Sequence, residues 1–344
     1  MRYNPMSTIT IRDVAKKAGV SLGTASRVIN GTANVAPEFK KKVDQAIRSL
    51  GYEPNRMAQG LRSKQSHAIG VIVRDITIPA LANFVRAVQD QLERAGYTLL
   101  ITCSDDRKDR ELALLNSFKR RQMDGVVILS ASDEDTDLVR ARAAFAAPVV
   151  LFDRHSPSSL DAVLLDHYGG IRRSIDYLSG LGHRRICLVT GSEQVFPGRE
   201  RVRAFRDGIS SFHGLADSAR LVSARGFDAQ TAFVETMQML GRDPAPTAII
   251  AGGISMLPGV LRAIRSRGLV VPQDISVISV GDSDLAVLSE PAVTVLKWDY
   301  ADLGHAVVQL LLRRIREPRA ERERVTFPVD FVVRGSCAAP RSGR

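Results

Sequence analysis

The chain has 344 residues and a formal net charge of +11; it is long enough for two or three units of ordinary domain size and apolar enough to fill their cores. It holds no run of about 18 apolar residues, the length a membrane-spanning helix needs, and "MRYNPMSTITIRDVAKK" is not expected to serve as a secretory signal because it lacks an apolar stretch. Cys103, Cys187 and Cys337 stand far apart in no ligand-like spacing; the first two fall in apolar strand-like runs and are expected as buried thiols of a cytoplasmic protein. Residues 1–66 carry twelve Lys and Arg against four Asp and Glu, a local charge of +8 that leaves +3 for the rest. Positive charge concentrated in a small module suits phosphate neutralisation, although a basic solvated face has the same composition.

The first predicted element is a helix in "TITIRDVAKKAGVS". Thr10 is its N-cap, Asp13 returns the capping bond, and Ile11, Val14, Ala15 and Ala18 share one face. Gly19 ends it in a left-handed conformation that other residues resist. Val20 packs in the turn, and Ser21 caps a second helix with Ala25, Val28 and Ile29 inward and Leu22, Gly23, Ser26 and Arg27 outward. Pro37 opens a third helix over residues 38–50, with Phe39, Val43, Ala46, Ile47 and Leu50 as its buried stripe. Three short helices with a glycine turn between the first two make a helix-turn-helix module over residues 8–53. A linker, "PNRMAQGLRSKQS", follows over residues 54–66.

From His67 onward short apolar runs such as "AIGVIV", "GVVILS", "RRICLVTG" and "ISVISVG" alternate with helical segments. Continuous apolar strands between helices predict parallel sheets covered on both faces, and their number predicts two α/β subdomains. "SDEDTD" lacks the Gly and Glu of a calcium loop and reads as an exposed helix start; "RRIREPRAERERV" reads as a solvated helix end and loop. His155, His167 and His183 are not spaced as zinc ligands, and His183 is expected to be structural. No nucleotide-binding glycine pattern or catalytic set is present, so no cofactor, metal or enzymatic activity is expected.

The run from "TIRDVAKKAGVSLGTASRVIN" through "LGYEPN" to the "A-x-x-L" of the linker resembles, without a gap over about sixty residues, the start of LacI/GalR-family transcription regulators. The resemblance implies a DNA-binding regulator, most often a repressor, acting as a homodimer on a pseudo-palindromic operator. Leu22, Gly23 and Arg27 then fall at base-reading positions, with Arg27 the one side chain able to bond guanine in bidentate fashion; Thr24, Ser26 and Asn30 hold phosphates and register. Asn55 and Ala58 belong to a hinge helix formed on DNA, and Leu61 matches the wedge that enters the minor groove.

For residues 67–335 the resemblance implies a periplasmic-binding-protein-like effector and dimerisation domain. Its subdomains take residues 67–165 with 297–326 and 166–296 with 327–335, crossing near Asp166, Lys297 and Phe327, and leave a tail at 336–344. A small-molecule effector is implied between them, near Ala80, Leu81, Asp153, Arg201, Gly253, Gly281, Asp282, Trp298 and Tyr300. Relatives usually carry Asn-Asp where this chain has Gly253 and Ile254, and an aromatic residue after the glycine of "SVGDSD". The glycines either make room for a bulkier ligand or let backbone amides approach it. Loss of an acidic grip beside Arg201, Arg154 and His155 points to a sugar acid or other organic acid; a neutral sugar, or no ligand, are the alternatives. Trp298 is either a cleft wall or a packing residue. A transporter's solute-binding protein is the rival from another class, but it has no use for a basic N-terminal module.

Overall fold

The computed structural model describes residues 9–29, 35–52, 65–155, 160–212, 218 and 222–341. The chain divides into two compact units, Met1–Ser66 and His67–Arg344. No helix among the described residues is long and apolar enough to cross a membrane.

In the first unit, α1 (Ile11–Ala18), α2 (Leu22–Ile29) and α3 (Pro37–Leu50) enclose a core of Val14, Ala18, Val43 and Ala46. Asp13 Oδ2 accepts from the Thr10 backbone amide and hydroxyl at 2.8 and 2.7 Å, and Gly19 ends α1 with φ +66°. Ser21 Oγ accepts from the Thr24 amide at 3.1 Å and so starts α2. The expected stripe of α3 is corrected at one end. Phe39 is exposed, one turn ahead of the segment that meets α1, with the Lys42 ammonium 5.8 Å from its ring centre.

The second unit begins with β1 (Ala68–Val73), α4 (Pro79–Arg94), β2 (Thr98–Cys103), α5 (Lys108–Arg120) and β3 (Gly125–Ile128). Then come α6 (Thr136–Ala143), β4 (Val149–Phe152), β5 (Asp161–Leu165), α7 (His167–Gly180), β6 (Ile186–Thr190) and α8 (Phe196–Ser211). Next are β7 (Val222–Ala224), α9 (Ala229–Leu240), β8 (Ala248–Ala251), α10 (Leu257–Ser266), β9 (Ser276–Val280) and α11 (Asp284–Leu288). The last elements are β10 (Thr294–Lys297), α12 (Tyr300–Arg316), β11 (Arg324–Phe327) and β12 (Asp330–Val332).

Two six-stranded sheets result, in the orders β11-β5-β4-β3-β1-β2 and β12-β10-β9-β8-β6-β7, parallel except for the antiparallel β10–β12 pair. The central strands β3, β4, β5, β6, β8 and β9 are buried on both faces, which is why they read as continuous Val/Ile/Leu runs. Three segments pass from one sheet to the other: β5 into α7 through Asp166, β10 into α12 through Trp298 and Asp299, and β11 into β12 through residues 328–329. Carboxyl ends of strands from both lobes border the space between these segments, the usual position for a ligand in such sheets.

Three local expectations are corrected, two of them by long-range pairings. Asp135 does cap α6 by accepting from the amides of Asp137 and Leu138, but Asp133 is buried rather than exposed. Its Oδ2 accepts from Arg199 Nη2 at 2.9 Å, linking the β3–α6 loop of one lobe to α8 of the other. Arg314, in the charged run taken for a solvated helix end, is buried against Asp161, with Nε to Oδ2 at 2.8 Å and Nη2 to Oδ1 at 2.9 Å. That guanidinium also donates to the carbonyls of Pro318, Ala320 and Glu321, tying the end of α12 to β5. Cys187 is buried and its thiol is pushed up to about 12 by burial, whereas Cys103, on edge strand β2, is only half-buried.

Candidate functional site

The first candidate is the outward face of α2. Leu22, Gly23 and Arg27 are exposed and lie on one side of the helix, while Ala25 is buried against the other two helices. Arg27 folds back so that its Nε donates to the Gly23 carbonyl at 3.3 Å. Thr24 and Ser26 flank this face, half-buried, and the Thr24 hydroxyl sits 2.9 Å from Ser21 Oγ in the cap. Lys16 and Lys17 of α1 and Lys40, Lys41 and Lys42 of α3 are exposed in the same unit. Asn30, Asn55, Ala58 and Leu61 lie outside the described residues.

The second candidate is a cavity of about 140 Å³ between the two lobes of the second unit. It brings together Ala80 and Leu81 from α4, Asp153 after β4, Arg201 of α8, and Gly253 after β8. Gly281 after β9 and the pair Trp298 and Tyr300 on the second crossing segment complete these walls. The ninth expected residue, Asp282, does not line this cavity. It borders an adjoining recess of about 920 Å³, and its carboxylate accepts from Arg334 at 2.9 and 2.7 Å.

Hydrogen bonds order the floor of the cavity into a chain. Arg201 Nη2 lies 3.2 Å from His167 Nδ1, and His167 Nε2 lies 2.9 and 3.0 Å from the two Asp153 oxygens. A guanidinium only donates, so Nδ1 accepts and the ring proton sits on Nε2, directed at Asp153. Burial is the largest influence on His167 and pushes its pKa down against the pull of Asp153, which keeps the ring neutral near pH 7. Burial opposes ionisation of Asp153, but His167, then Arg154 and Arg201, outweigh it and hold the carboxyl below its usual range. Arg201 also donates to the Gly252 carbonyl, and burial lowers its pKa to about 10, so it remains a cation. Asp153 itself has φ +51°, a left-handed turn that Asp tolerates better than most residues.

The remaining walls combine cations with apolar surface. Arg154 Nε donates to the Ser130 carbonyl at 2.5 Å and Nη1 to the Asp153 carbonyl at 2.9 Å. Arg74 reaches across from the first lobe to Ser255 Oγ at 3.4 Å. The Phe227 ring lies 5.5 Å from the Arg74 guanidinium carbon and 5.7 Å from that of Arg201, within cation–π range. Asp106 lies 3.7 Å from Arg74, and burial raises its pKa. Trp298 packs edge-on to His167 with ring centres 5.5 Å apart, and burial pushes the Tyr300 phenol up to about 12. Two polar atoms of these walls are buried without a partner among the described residues: Arg201 Nε and Trp298 Nε1.

Sequence reasoning passed over His167, which zinc spacing alone could not select. The available signal was topological. β4 and β5 are parallel neighbours with Phe152 opposite Val163, so the residues following their carboxyl ends meet. Ile254 was noted only as a departure. It lies over Gly281, where a Cβ would come within 2.4 Å of Ile254 Cγ1. The space opened at Gly281 is therefore filled by the chain's own side chain and gives no room to a bulkier ligand. At Gly253 an added Cβ would meet nothing closer than 3.7 Å.

Residues 10–55 match the model of bacterial regulatory proteins of the lacI family, and residues 175–337 match that of the periplasmic binding protein-like domain. Catabolite control protein A of Priestia megaterium is 30% identical over 322 residues, covering 93% of this chain and 96% of that protein. The chain belongs to the LacI/GalR family. The lactose operon repressor of Escherichia coli K12 is 29% identical over 341 residues, 98% of this chain and 93% of that one. The crystal structure of the lac repressor dimer bound to operator and the anti-inducer ONPF is 27% identical to this chain, with a TM-score of 0.85 over 97% of this chain and 100% of that one. LacI/GalR proteins are transcription regulators rather than enzymes.

Proposed function

We propose that this LacI/GalR protein is a homodimeric repressor whose affinity for a pseudo-palindromic operator is set by a small organic acid bound between its effector lobes. On this reading Leu22, Gly23 and Arg27 of α2 face the major groove, and Arg27 supplies the one bidentate base contact. Leu22 offers an apolar contact to a thymine methyl and Gly23 close approach, so specificity draws more on DNA shape and half-site spacing. Thr24, Ser26 and Asn30 hold the backbone, and Asn55, Ala58 and Leu61 form the hinge with its central wedge. Such an operator dimer has its counterpart in the lac repressor structure.

The observation that carries the effector reading is the charge of the interlobe cavity. Arg74, Arg154 and Arg201 line it against two carboxylates, Asp106, paired with Arg74, and Asp153, held by His167, so cations outnumber anions. Both lobes contribute, so a ligand that binds here favours one lobe arrangement over another and shifts operator affinity by its differential binding. The test recovers genomic fragments bound by the purified protein and measures their affinity with and without galacturonate, gluconate, benzoate and glucose. An acid that changes operator affinity supports the reading; a response confined to glucose overturns it.

A further inference from the structure

The polar balance of the interlobe cavity narrows the effector class, on the reading that the effector is an organic acid. Each hydroxyl of a sugar or sugar acid brings a proton that needs an acceptor as well as an oxygen that needs a donor. Acceptors are few, and Asp106, the other carboxylate of this lining, pairs with Arg74 at 3.7 Å. Both Asp153 oxygens face His167 Nε2–H, and Gly253 and Gly281 present no side chains. The Ser255 hydroxyl donates to the Phe227 carbonyl and accepts from Arg74 Nη2 at 3.4 Å. Ile254 places an aliphatic group where a polar one would have to stand. A buried hydroxyl proton without a partner costs much of what the rest of the ligand gains.

Donors, by contrast, are in surplus. Arg201 and Trp298 are 6% and 7% exposed, and Arg201 Nε and Trp298 Nε1 have no partner among the described residues. A carboxylate accepts from such donors without requiring an acceptor in return. The rest of the wall suits a flat apolar body. Leu81, Phe152, Val280 and Ile254 face it, with the Phe227 and Trp298 rings. Its volume of about 140 Å³ is close to the ~150 Å³ of an apolar cavity that holds one benzene ring.

We infer that the cavity selects a small aromatic carboxylate, its acid group on Arg201 and Trp298 and its ring against Ile254 and Phe227. Most aspartates of the adjoining recess are engaged. Asp75 is bonded to Thr77, Asp105 pairs with Arg110, Asp106 with Arg74, Asp228 is bonded to Thr231 and Asp282 pairs with Arg334, while Asp284 is exposed to solvent.

Trp298 is the only tryptophan of the chain, so its emission reports the site directly. The full-length protein is titrated with benzoate, gluconate, glucose, benzyl alcohol and benzylamine. Benzoate is expected to give a saturable change, with every other probe at least tenfold weaker. Ile254→Asn, which adds a polar group beside Gly253, is expected to move the benzoate-to-gluconate preference at least tenfold toward gluconate. Gluconate binding as tightly as benzoate overturns this inference and leaves the organic-acid reading intact. Binding of glucose alone overturns both. Benzylamine or benzyl alcohol matching benzoate, or no response to benzoate at millimolar concentration, also overturns the inference.

Discussion

Gly281→Ala in the full-length protein is expected to cost about 2–4 kcal/mol of stability, from two separable sources. The backbone at this position has φ +95°, where an L side chain carries about 1–2 kcal/mol of strain. The new Cβ would also lie 2.4 Å from Ile254 Cγ1 and 2.7 Å from Cδ1, an overpacking that costs about 1–3 kcal/mol. Ile254 is half-buried and able to swing aside, which favours the lower part of that range. Ile254→Ala removes the second source and leaves the first. In the Ile254→Ala background, Gly281→Ala should therefore cost only the strain, about 1–2 kcal/mol. Urea unfolding of the four proteins, followed by Trp298 emission and far-ultraviolet circular dichroism, measures the coupling. A coupling of about 1 kcal/mol or more is expected; costs that add within about 0.5 kcal/mol would refute the packing of Ile254 over Gly281.

Arg27→Ala should remove sequence preference in gel shifts, costing about 1–3 kcal/mol at the cognate site and far less on random DNA. Unchanged preference would reassign base reading to another residue. Arg314→Met leaves Asp161 buried without its main partner and should destabilise the effector unit by about 3–5 kcal/mol in urea unfolding. Asp161 is opposed by burial but held below its ordinary value by Arg314 and the Glu323 amide. Its contribution is thus complete above the unfolded carboxyl value and lost as pH falls from there through the lower folded value. His183, bonded to Thr247 and Ser276 at 2.9 Å each, has its pKa lowered by burial to about 4. The unfolded chain then binds a proton that the folded chain does not between about pH 6.5 and 4. Stability should fall as pH drops through that window, and His183→Gln should flatten the slope by about one proton.

Much of the architecture was legible because local and long-range preferences agree. The Thr10–Asp13 cap, Gly19 and Pro37 mark the helices of the first unit, and the buried strands show as unbroken aliphatic runs. What was not legible depends on partners distant in sequence. Asp133 and Arg314 look like surface charges because Arg199 and Asp161 stand 66 and 153 positions away. Phe39 matched the helical period but lies before the helices converge. In the cavity, residue types were readable and their engagement was not. Asp153 was legible as a residue of the effector cleft, but the bond of His167 to both of its oxygens was not. Gly281 looked like open space until Ile254 was found above it.

On the proposed function, a small anion held between the effector lobes controls binding of DNA by this protein. Fluorescence anisotropy of a recovered operator fragment, titrated with protein at fixed salt with and without benzoate or galacturonate, tests it most directly. A shift in operator affinity of about fivefold or more, corresponding to a coupling of at least 1 kcal/mol, is the predicted result. The same acid should leave an Arg201→Gln variant unchanged. Operator affinity indifferent to every acid, or an equal response in the Arg201→Gln variant, would contradict the account.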